Sequence, residues 1–436
     1  LTSTQLNALT STNLQALTTT QAAKLSTTAV ANLTTTQLNL LETSDVAALS
    51  TTAVASLTST QLNALTSTNL QALTTTQAAS LTTTQAANLS TTQLNLLETS
   101  DVAALSTAAV ASLTSTQLNA LNSTNLQALS TTQAAALTTL QAANLSSTQL
   151  NLLQTSDLAA LSTAAAASLS STQLNALNST NLQALTTAQA AKLSTTAVAN
   201  LTTTQLNLME TSDVAALGTG QVAALTSTQL NALTSTNLQA LTTTQMPGLS
   251  TTAAANLTTT QLNLLETSDV AALGTAAVAS LTSTQLNALT STNLQALTTV
   301  QNAVLTTTQA ANLSSTQLNL MQTSDVAALG TAAVASLTST QLNALTSTNL
   351  QALTTAQAGA LTTTQASNLT STQLNLLQTS DLAALGSAAV ASLTSTQLNA
   401  LNSTNLQALT TAQVAKLSTT AVANLTTTQL NLMETS

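Results

Sequence analysis

The sequence contains no cysteine, histidine, arginine or aromatic residue, and it has a single proline, Pro247. Without imidazole and thiol groups, the chain lacks the commonest general bases, nucleophiles and soft metal ligands. A net charge of −9, with three lysines as the only basic side chains, offers a nucleic acid neither phosphate neutralisation nor base stacking. These absences predict that the chain is not an enzyme, needs no cofactor and does not bind nucleic acid.

Long hydrophobic runs are absent as well. No apolar stretch approaches the ~18–20 residues of a membrane span, and no signal-peptide pattern opens the chain. We therefore predict no membrane span in this segment. The chain starts at Leu1 and stops at Ser436, halfway through a repeat unit. We expect it to be a window of a longer protein.

Leucine is abundant and regularly spaced. Leucine or methionine occupies every eighth position from Leu1 to Met433, and seven such octads make a 56-residue superrepeat. The superrepeats start at Leu1, Leu57, Leu113, Leu169, Leu225, Leu281, Leu337 and Leu393. A fixed period of this kind indicates a solenoid, in which each repeat buries its apolar face against its neighbours. We predict one continuous repeat array over residues 1–436.

Each octad has the pattern of a short capped helix. Octad position 2 is Thr, Ser, Asn or Gly in six octads of every seven, and these residues suit a helix N-cap. Gln follows three residues later in most octads and completes a capping box. The predicted structural caps include Thr2, Gln5, Thr10, Thr18 and Gln21.

These caps predict an all-α solenoid of very short helices, one per octapeptide. Helices of about one and a half turns are unstable alone, so they must stack on coils above and below. We expect leucines inside, hydroxyls and amides outside, and two coils of three and a half octads per superrepeat. The alternative is a β-solenoid, because Thr favours strands. Leucines at octad positions 1 and 6 would then fall on opposite faces of a strand, which counts against it.

The sixth octad of each superrepeat carries nearly all the charge. The first two examples contain Glu42 with Asp45 and Glu98 with Asp101. Carboxylates at a fixed spacing on a stiff array could share calcium ions, so these four residues are candidate calcium ligands. The simpler interpretation places Asp in a first helical turn, with the cap moved to Thr43 or the next residue, where it complements the helix dipole. The position of Glu42 holds Glu42, Glu98, Glu210, Glu266 and Glu434 in five superrepeats and Gln154, Gln322 and Gln378 in the other three.

Asparagine precedes a Leu-Ser or Leu-Thr pair once per superrepeat, which fits the glycosylation pattern. The positions are Asn32, Asn88, Asn144, Asn200, Asn256, Asn312, Asn368 and Asn424. The simpler interpretation is that Asn ends one helix in the left-handed conformation, while Ser or Thr caps the next. For Gln and Asn at octad positions 5 and 7, such as Gln5 and Asn7, the sequence leaves open whether they bond between coils or face solvent.

One octad is interrupted by the tripeptide Met246-Pro247-Gly248. Proline inside a helix costs about 3 kcal/mol or more, because it lacks an N–H and its ring clashes with the preceding turn. We expect a local defect there, with Pro247 and Gly248 bulging outward.

The LTTTQ and LSTTAVA octads resemble the L-[ST]-[ST]-x-Q-h-x-A arrays of very large bacterial surface proteins, often labelled adhesion or haem-utilisation proteins. The resemblance covers the whole chain and implies an extracellular or cell-surface, adhesin-like setting. It transfers no functional residue. Haem binding is not predicted, because no His, Cys or Tyr is present to ligate iron.

Repeat architecture without a catalytic constellation indicates a structural role. We predict an extracellular fibre, stalk or sheath filament that self-associates through the face it repeats every superrepeat. The alternative is a Thr-lined binding surface for ice or a polysaccharide, because regular rows such as Thr2 and Thr4 could contact a lattice or glycan.

Overall fold

The computed structural model describes residues 1–433 and builds them from one short helix per octad. It contains 53 α-helices and one 3₁₀-helix, and no β-strand occurs in that range. The helices of the second superrepeat are Ser59–Ala64, Ser67–Gln71, Thr75–Ala79, Thr83–Asn88, Thr91–Leu96, Thr99–Ala104 and Thr107–Ser112. Elsewhere, too, each α-helix begins at octad position 3, from Ser3–Asn7 to Thr427–Met433. The predicted all-α fold is confirmed, and the β-solenoid alternative is wrong.

Capping explains why each helix starts where it does. Thr58 Oγ1 accepts a hydrogen bond from the Gln61 N–H at 3.2 Å, and Gln61 Oε1 accepts one from the Thr58 N–H at 2.8 Å. The helix ends at Leu65, whose backbone is extended at φ −57° and ψ 135°. Two extended residues therefore separate one helix from the next. No non-glycine residue in 1–433 has a positive φ, so the chain bends at each octad without left-handed residues.

Hydrogen bonds between coils show how many octads make one coil. Gln61 Nε2 donates to the Leu33 carbonyl at 2.7 Å, and Gln85 Nε2 donates to the Leu57 carbonyl at 2.7 Å. Both bonds span 28 residues, which is three and a half octads. Octad position 5 of one coil therefore lies over octad position 1 of the coil before it, in agreement with the predicted coil.

The chain forms two compact units, Leu1–Leu217 and Gly218–Ser436. In both units the leucine at octad position 1 and the side chains at positions 5 and 6 are buried, as Leu118 and Leu121 illustrate at 0% and 5% exposure. Each buried leucine contributes about 1.5–3 kcal/mol, which offsets the cost of nucleating so short a helix. Among residues 1–433, no helix is both long enough and apolar enough to cross a membrane.

The octad with Pro247 departs from this pattern, as predicted, but in a different way. The segment Met246–Gly248 is a 3₁₀-helix, and Pro247 is exposed. Gly248 does not bulge outward, because a Cβ on it would lie 2.6 Å from the Thr219 carbonyl oxygen of the preceding coil. The prediction of an outward bulge is therefore wrong for Gly248. The lack of a side chain is what allows the defect to stack.

Candidate functional site

The most regular chemical feature of the structure is the buried amide at octad position 5, the third residue of each helix. Gln133 is 2% exposed. Its Oε1 accepts a hydrogen bond from the Ser130 N–H at 2.7 Å, while its Nε2 donates to the Leu105 carbonyl at 2.7 Å and the Val102 carbonyl at 2.9 Å. One side chain thus caps its own helix and joins it to the preceding coil. The expectation that amides lie outside is wrong at this position.

Asparagine performs the same function in the second octad of each superrepeat. Asn125 Nδ2 donates to the Leu94 and Leu97 carbonyls, both at 3.2 Å. These bonds are longer than those of Gln133, because the Asn side chain is one methylene shorter. Its N–H is capped by Asn122 Oδ1 at 2.8 Å.

A second amide row, at octad position 7, lies nearer the surface. Asn63 Nδ2 donates to the Asn88 carbonyl at 2.7 Å, and Asn63 Oδ1 accepts from the Ser90 N–H at 2.7 Å. Asn7 donates to the Asn32 carbonyl in the same way, at 2.9 Å. The structure therefore answers what the sequence left open, because amides at positions 5 and 7 both bond between coils.

The residues predicted as caps lie at helix starts in the first coil. Thr2 and Gln5 form a complete capping box, with bonds of 2.9 and 3.2 Å, and Thr18 and Gln21 form another. Thr10 accepts from the Asn13 N–H at 3.3 Å without a reciprocal bond. In this coil Gln5, Asn13 and Gln21 are exposed.

The acidic octads differ from both interpretations of the sequence. Helix Thr43–Ala48 begins after Glu42, which is the N-cap residue and makes no side-chain cap bond. The expected move of the cap to Thr43 or Ser44 is therefore wrong. Asp45 does lie in the first turn, but it points inward and is 1% exposed, whereas Glu42 is exposed.

The same separation holds for the other pair of calcium candidates, since Asp101 is buried and Glu98 is exposed. Within residues 1–433, no group of three or more acidic side chains lies close enough together to hold a metal ion. Glu434 lies outside the described residues.

Burial changes the acidity of these Asp side chains. It raises the pKa of Asp101 and of Asp213 to about 6, and the neighbouring carboxylates of Glu98 and Glu210 add to the rise. Burial is also the main cause of the raised pKa of Asp45, Asp157, Asp269, Asp325 and Asp381. A raised pKa is the expected response of a carboxyl that loses water without gaining a cation.

The Asn of the Asn-Leu-Ser/Thr triplets ends or follows a helix, but not in the left-handed conformation. Asn32 has φ −97° and ψ −1°, so that part of the interpretation is wrong. Its side chain is exposed, and its Nδ2 donates to the Thr28 carbonyl at 2.7 Å.

The sequence interpretation missed the second role of Gln at position 5. A capping box accepts Glu as readily as Gln, yet all five Glu residues of this chain stand at octad position 2 and none at position 5. The absence of Glu was the available signal, because only an amide can also donate to a carbonyl. Ser112 was missed for a similar reason: its Oγ donates to the Thr83 carbonyl of the preceding coil at 3.0 Å.

Stacked octad helices joined by amide-to-carbonyl bonds define an α-solenoid repeat protein. Comparison with known families gives the particular one: the chain belongs to the ALTTAQ repeat family, whose pattern it matches seven times over more than half of its length. The matched segments are residues 38–75, 95–131, 150–187, 206–243, 263–299, 318–355 and 374–411. The string ALTTAQ itself stands at residues 184–189, where Thr186 is the N-cap and Gln189 the capping-box partner. A search of curated proteins found no match.

Proposed function

We propose that this chain is a non-enzymatic structural protein that forms a fibre, stalk or sheath filament outside the cell. The observation that carries the proposal is the bond from the position-5 amide to the carbonyl 28 residues earlier, as from Gln117 to Leu89 at 2.8 Å. The same bond recurs from coil to coil, so each added coil is held as the previous one was. Length can then grow without a new core.

The direction of these bonds supports end-to-end self-association. Every coil directs amide donors toward the coil before it and offers leucine carbonyls to the coil after it, as Gln133 does with Leu105. The two sides of a coil are therefore complementary. A contact between unlike surfaces that does not close into a ring produces an open filament.

The surface composition supports an extracellular structural role in a second way. Octad positions 2 to 4 are hydroxyl-rich and largely exposed, and only 3% of the residues are charged. The chain has no cysteine, so its fold does not depend on the redox conditions of the compartment.

Concentration-dependent assembly of the purified chain tests the proposal. The first-coil donors Gln5 and Gln21 are exposed, so replacing both with Glu should remove end-to-end contacts without disturbing a buried bond. We expect the wild-type chain to form linear oligomers in electron micrographs and the double variant to remain monomeric. Gln15→Glu is the matched control, because it adds charge at an exposed position 7 of the same coil. Monomers at every concentration, or filaments unaffected by the double change, would contradict end-to-end assembly.

A second candidate function, binding of ice or a polysaccharide, depends on hydroxyls that the caps leave exposed. Thr114 Oγ1 is engaged by Gln117 in the cap, whereas Thr116 at octad position 4 is exposed. Position 4 therefore supplies the surface row that this function needs. Its test is ice recrystallisation inhibition and polysaccharide co-sedimentation, and replacing the position-4 Thr residues with Val should abolish the glycan-dependent signal while leaving the caps intact.

A further inference from the structure

The sixth octad breaks the amide ladder in a consistent way. At the third residue of the helix, where Gln93 donates to the Leu65 carbonyl at 2.8 Å and Gln117 to the Leu89 carbonyl at 2.8 Å, this octad has Asp. An ionised carboxylate can only accept hydrogen bonds. The inter-coil donor is therefore missing at one helix in every seven.

The Asp carboxyl occupies the two roles of the Gln amide atom by atom. The backbone N–H of Glu98 donates to one oxygen of the Asp101 carboxyl, as the N-cap N–H does to Gln Oε1 in the other octads. The second oxygen, Oδ2, is buried and has no hydrogen-bond partner among the described residues. It takes the place of the Nε2 donor.

The register identifies the carbonyl that lacks its donor. Counting 28 residues back from Asp101 gives Leu73, whose carbonyl accepts no hydrogen bond from residues 1–433. The corresponding carbonyl of Leu65 is bonded by Gln93. The same buried, unpartnered Oδ2 occurs in Asp45, Asp101, Asp157, Asp269 and Asp381.

One superrepeat contains a natural variation at this point. Asn302 replaces the alanine found in most superrepeats at octad position 6, and its side chain is hydrogen-bonded to Asp325. Asn302 Nδ2 also donates, at 3.3 Å, to the carbonyl of Leu297, which lies 28 residues before Asp325. An amide thus supplies the donor in the only described superrepeat whose sequence provides one beside the Asp.

Few other charges act on these carboxyls. Helix Thr99–Ala104 packs between Thr75–Ala79 of the preceding coil and Ser123–Gln127 of the following coil, and neither of these helices contains a titratable side chain. The adjacent helices Thr91–Leu96 and Thr107–Ser112 contain none either. Glu98 is the nearest charged group.

We propose that the Asp residues of the sixth octads form a proton-controlled ladder of inter-coil contacts, in which the protonated carboxyl donates to the leucine carbonyl 28 residues earlier and the ionised carboxyl is repelled by it. Protonation closes the contact and tightens the coil at one position on its circumference. Ionisation opens it at the same position in every superrepeat. The inference does not depend on whether the chain forms a filament.

The sign of the pH effect follows from the raised pKa of Asp101. An increase from 3.8 to about 6 means that the folded chain binds this proton about a hundredfold more tightly than the unfolded chain does. The stabilisation is complete below the ordinary pKa and is lost as the pH rises through about 6. The array should therefore be tighter in mild acid than at neutral pH.

Selective ¹³C labelling of aspartate tests the ladder directly, because the seven Asp residues of the chain all lie in sixth octads. In the full-length chain, we expect the Asp101 and Asp213 carboxyl carbons to titrate near pH 6. Amide exchange in helix Thr99–Ala104, corrected for its intrinsic pH dependence, should accelerate by up to about a hundredfold between about pH 4.5 and 7.5. Titration of all seven carboxyls near 4 would overturn the proposal.

Two multiple variants separate the carboxyl from its surroundings. Replacing all seven Asp residues with Asn should remove the pH dependence of exchange and preserve the fold, because Asn69 already donates from this position to the Leu41 carbonyl. The matched control replaces Glu42, Glu98, Glu210 and Glu266 with Gln and should keep the pH dependence. Gln is native there in Gln154, which donates to the Gln127 carbonyl at 2.8 Å. A pH dependence that persists in the Asn variant would overturn the proposal.

A calcium titration at about pH 7.5 covers the competing explanation. If calcium chloride slows exchange in the wild type but not in the Asn variant, and a chelator reverses the effect, the carboxyls bind a cation and the proton proposal is overturned. Equal exchange with and without calcium supports the proton ladder.

Discussion

At the scale of single residues, the fold depends on a side chain that acts in two places. Gln133 satisfies an N–H of its own helix start and two carbonyls of the preceding coil. No shorter or acidic side chain does both equally well. Asn125 reaches its carbonyls only at 3.2 Å, and an ionised Asp cannot donate to them. The choice of Gln at octad position 5 is therefore a requirement of stacking as much as of capping.

The first prediction removes one such amide. Gln133→Ala should lower the free energy of unfolding by about 1–3 kcal/mol, because it leaves buried carbonyls without a donor. Gln127→Ala is the control, since Gln127 is an exposed side chain at octad position 7 and should change stability by less than about 0.5 kcal/mol. Urea unfolding measures both variants. Equal effects would mean that the amide bond between coils adds nothing to stability.

At the scale of the helix, boundaries come from the cap and the extended residues that follow. The N-cap accepts Thr, Ser, Asn or Gly because position 2 needs an acceptor or little bulk, and Gly218 still donates its N–H to Gln221 Oε1 at 2.6 Å. Helices therefore vary in length by only a few residues. The Met246–Gly248 segment shows what happens when this pattern fails, since a 3₁₀-helix replaces the α-helix and the backbone moves against the neighbouring coil.

The second prediction concerns that close approach. Gly248→Ala would place a Cβ 2.6 Å from the Thr219 carbonyl oxygen, so one backbone must move. We expect a loss of about 1–3 kcal/mol, typical of overpacking, with faster amide exchange confined to the neighbouring coils. Gly274→Ser is the matched control, because a Cβ there has ordinary contacts and Ser50 occupies the same octad position natively. An Ala variant as stable as the control would show that the defect has room to relax.

At the scale of the whole molecule, the coil of three and a half octads explains the 56-residue superrepeat. A coil of 28 residues carries octad position 5 onto octad position 1, as in the bond from Gln61 to Leu33. Only two coils return the chain to the same octad position. Seven octads are therefore the shortest whole number of octads that completes a whole number of coils.

The third prediction uses this half-octad offset. Deleting residues 113–168 leaves Gln173 with a leucine, Leu89, 28 residues before it, so the truncated chain should keep its urea midpoint. Deleting only residues 113–140 places Gln93 at that distance from Gln149, so the amides at the junction lose their carbonyls. The shorter deletion should lower the midpoint or split the transition, at about 1 kcal/mol per lost bond. Unfolding that depends only on the number of residues removed would contradict the role of the register.

Much of this architecture is already determined by the sequence, because its signals are local. Thr58 and Gln61 lie three residues apart, and the capping box needs nothing beyond those residues, so helix starts and the octad period follow from spacing alone. Only the tertiary structure decides which polar side chains are buried. Gln85 bonds to a residue 28 positions earlier, and Asp101 is buried because a whole coil covers it. Local patterns contain no information about desolvation by a distant segment, and desolvation is what sets the inter-coil bonds and the acidity of the Asp ladder.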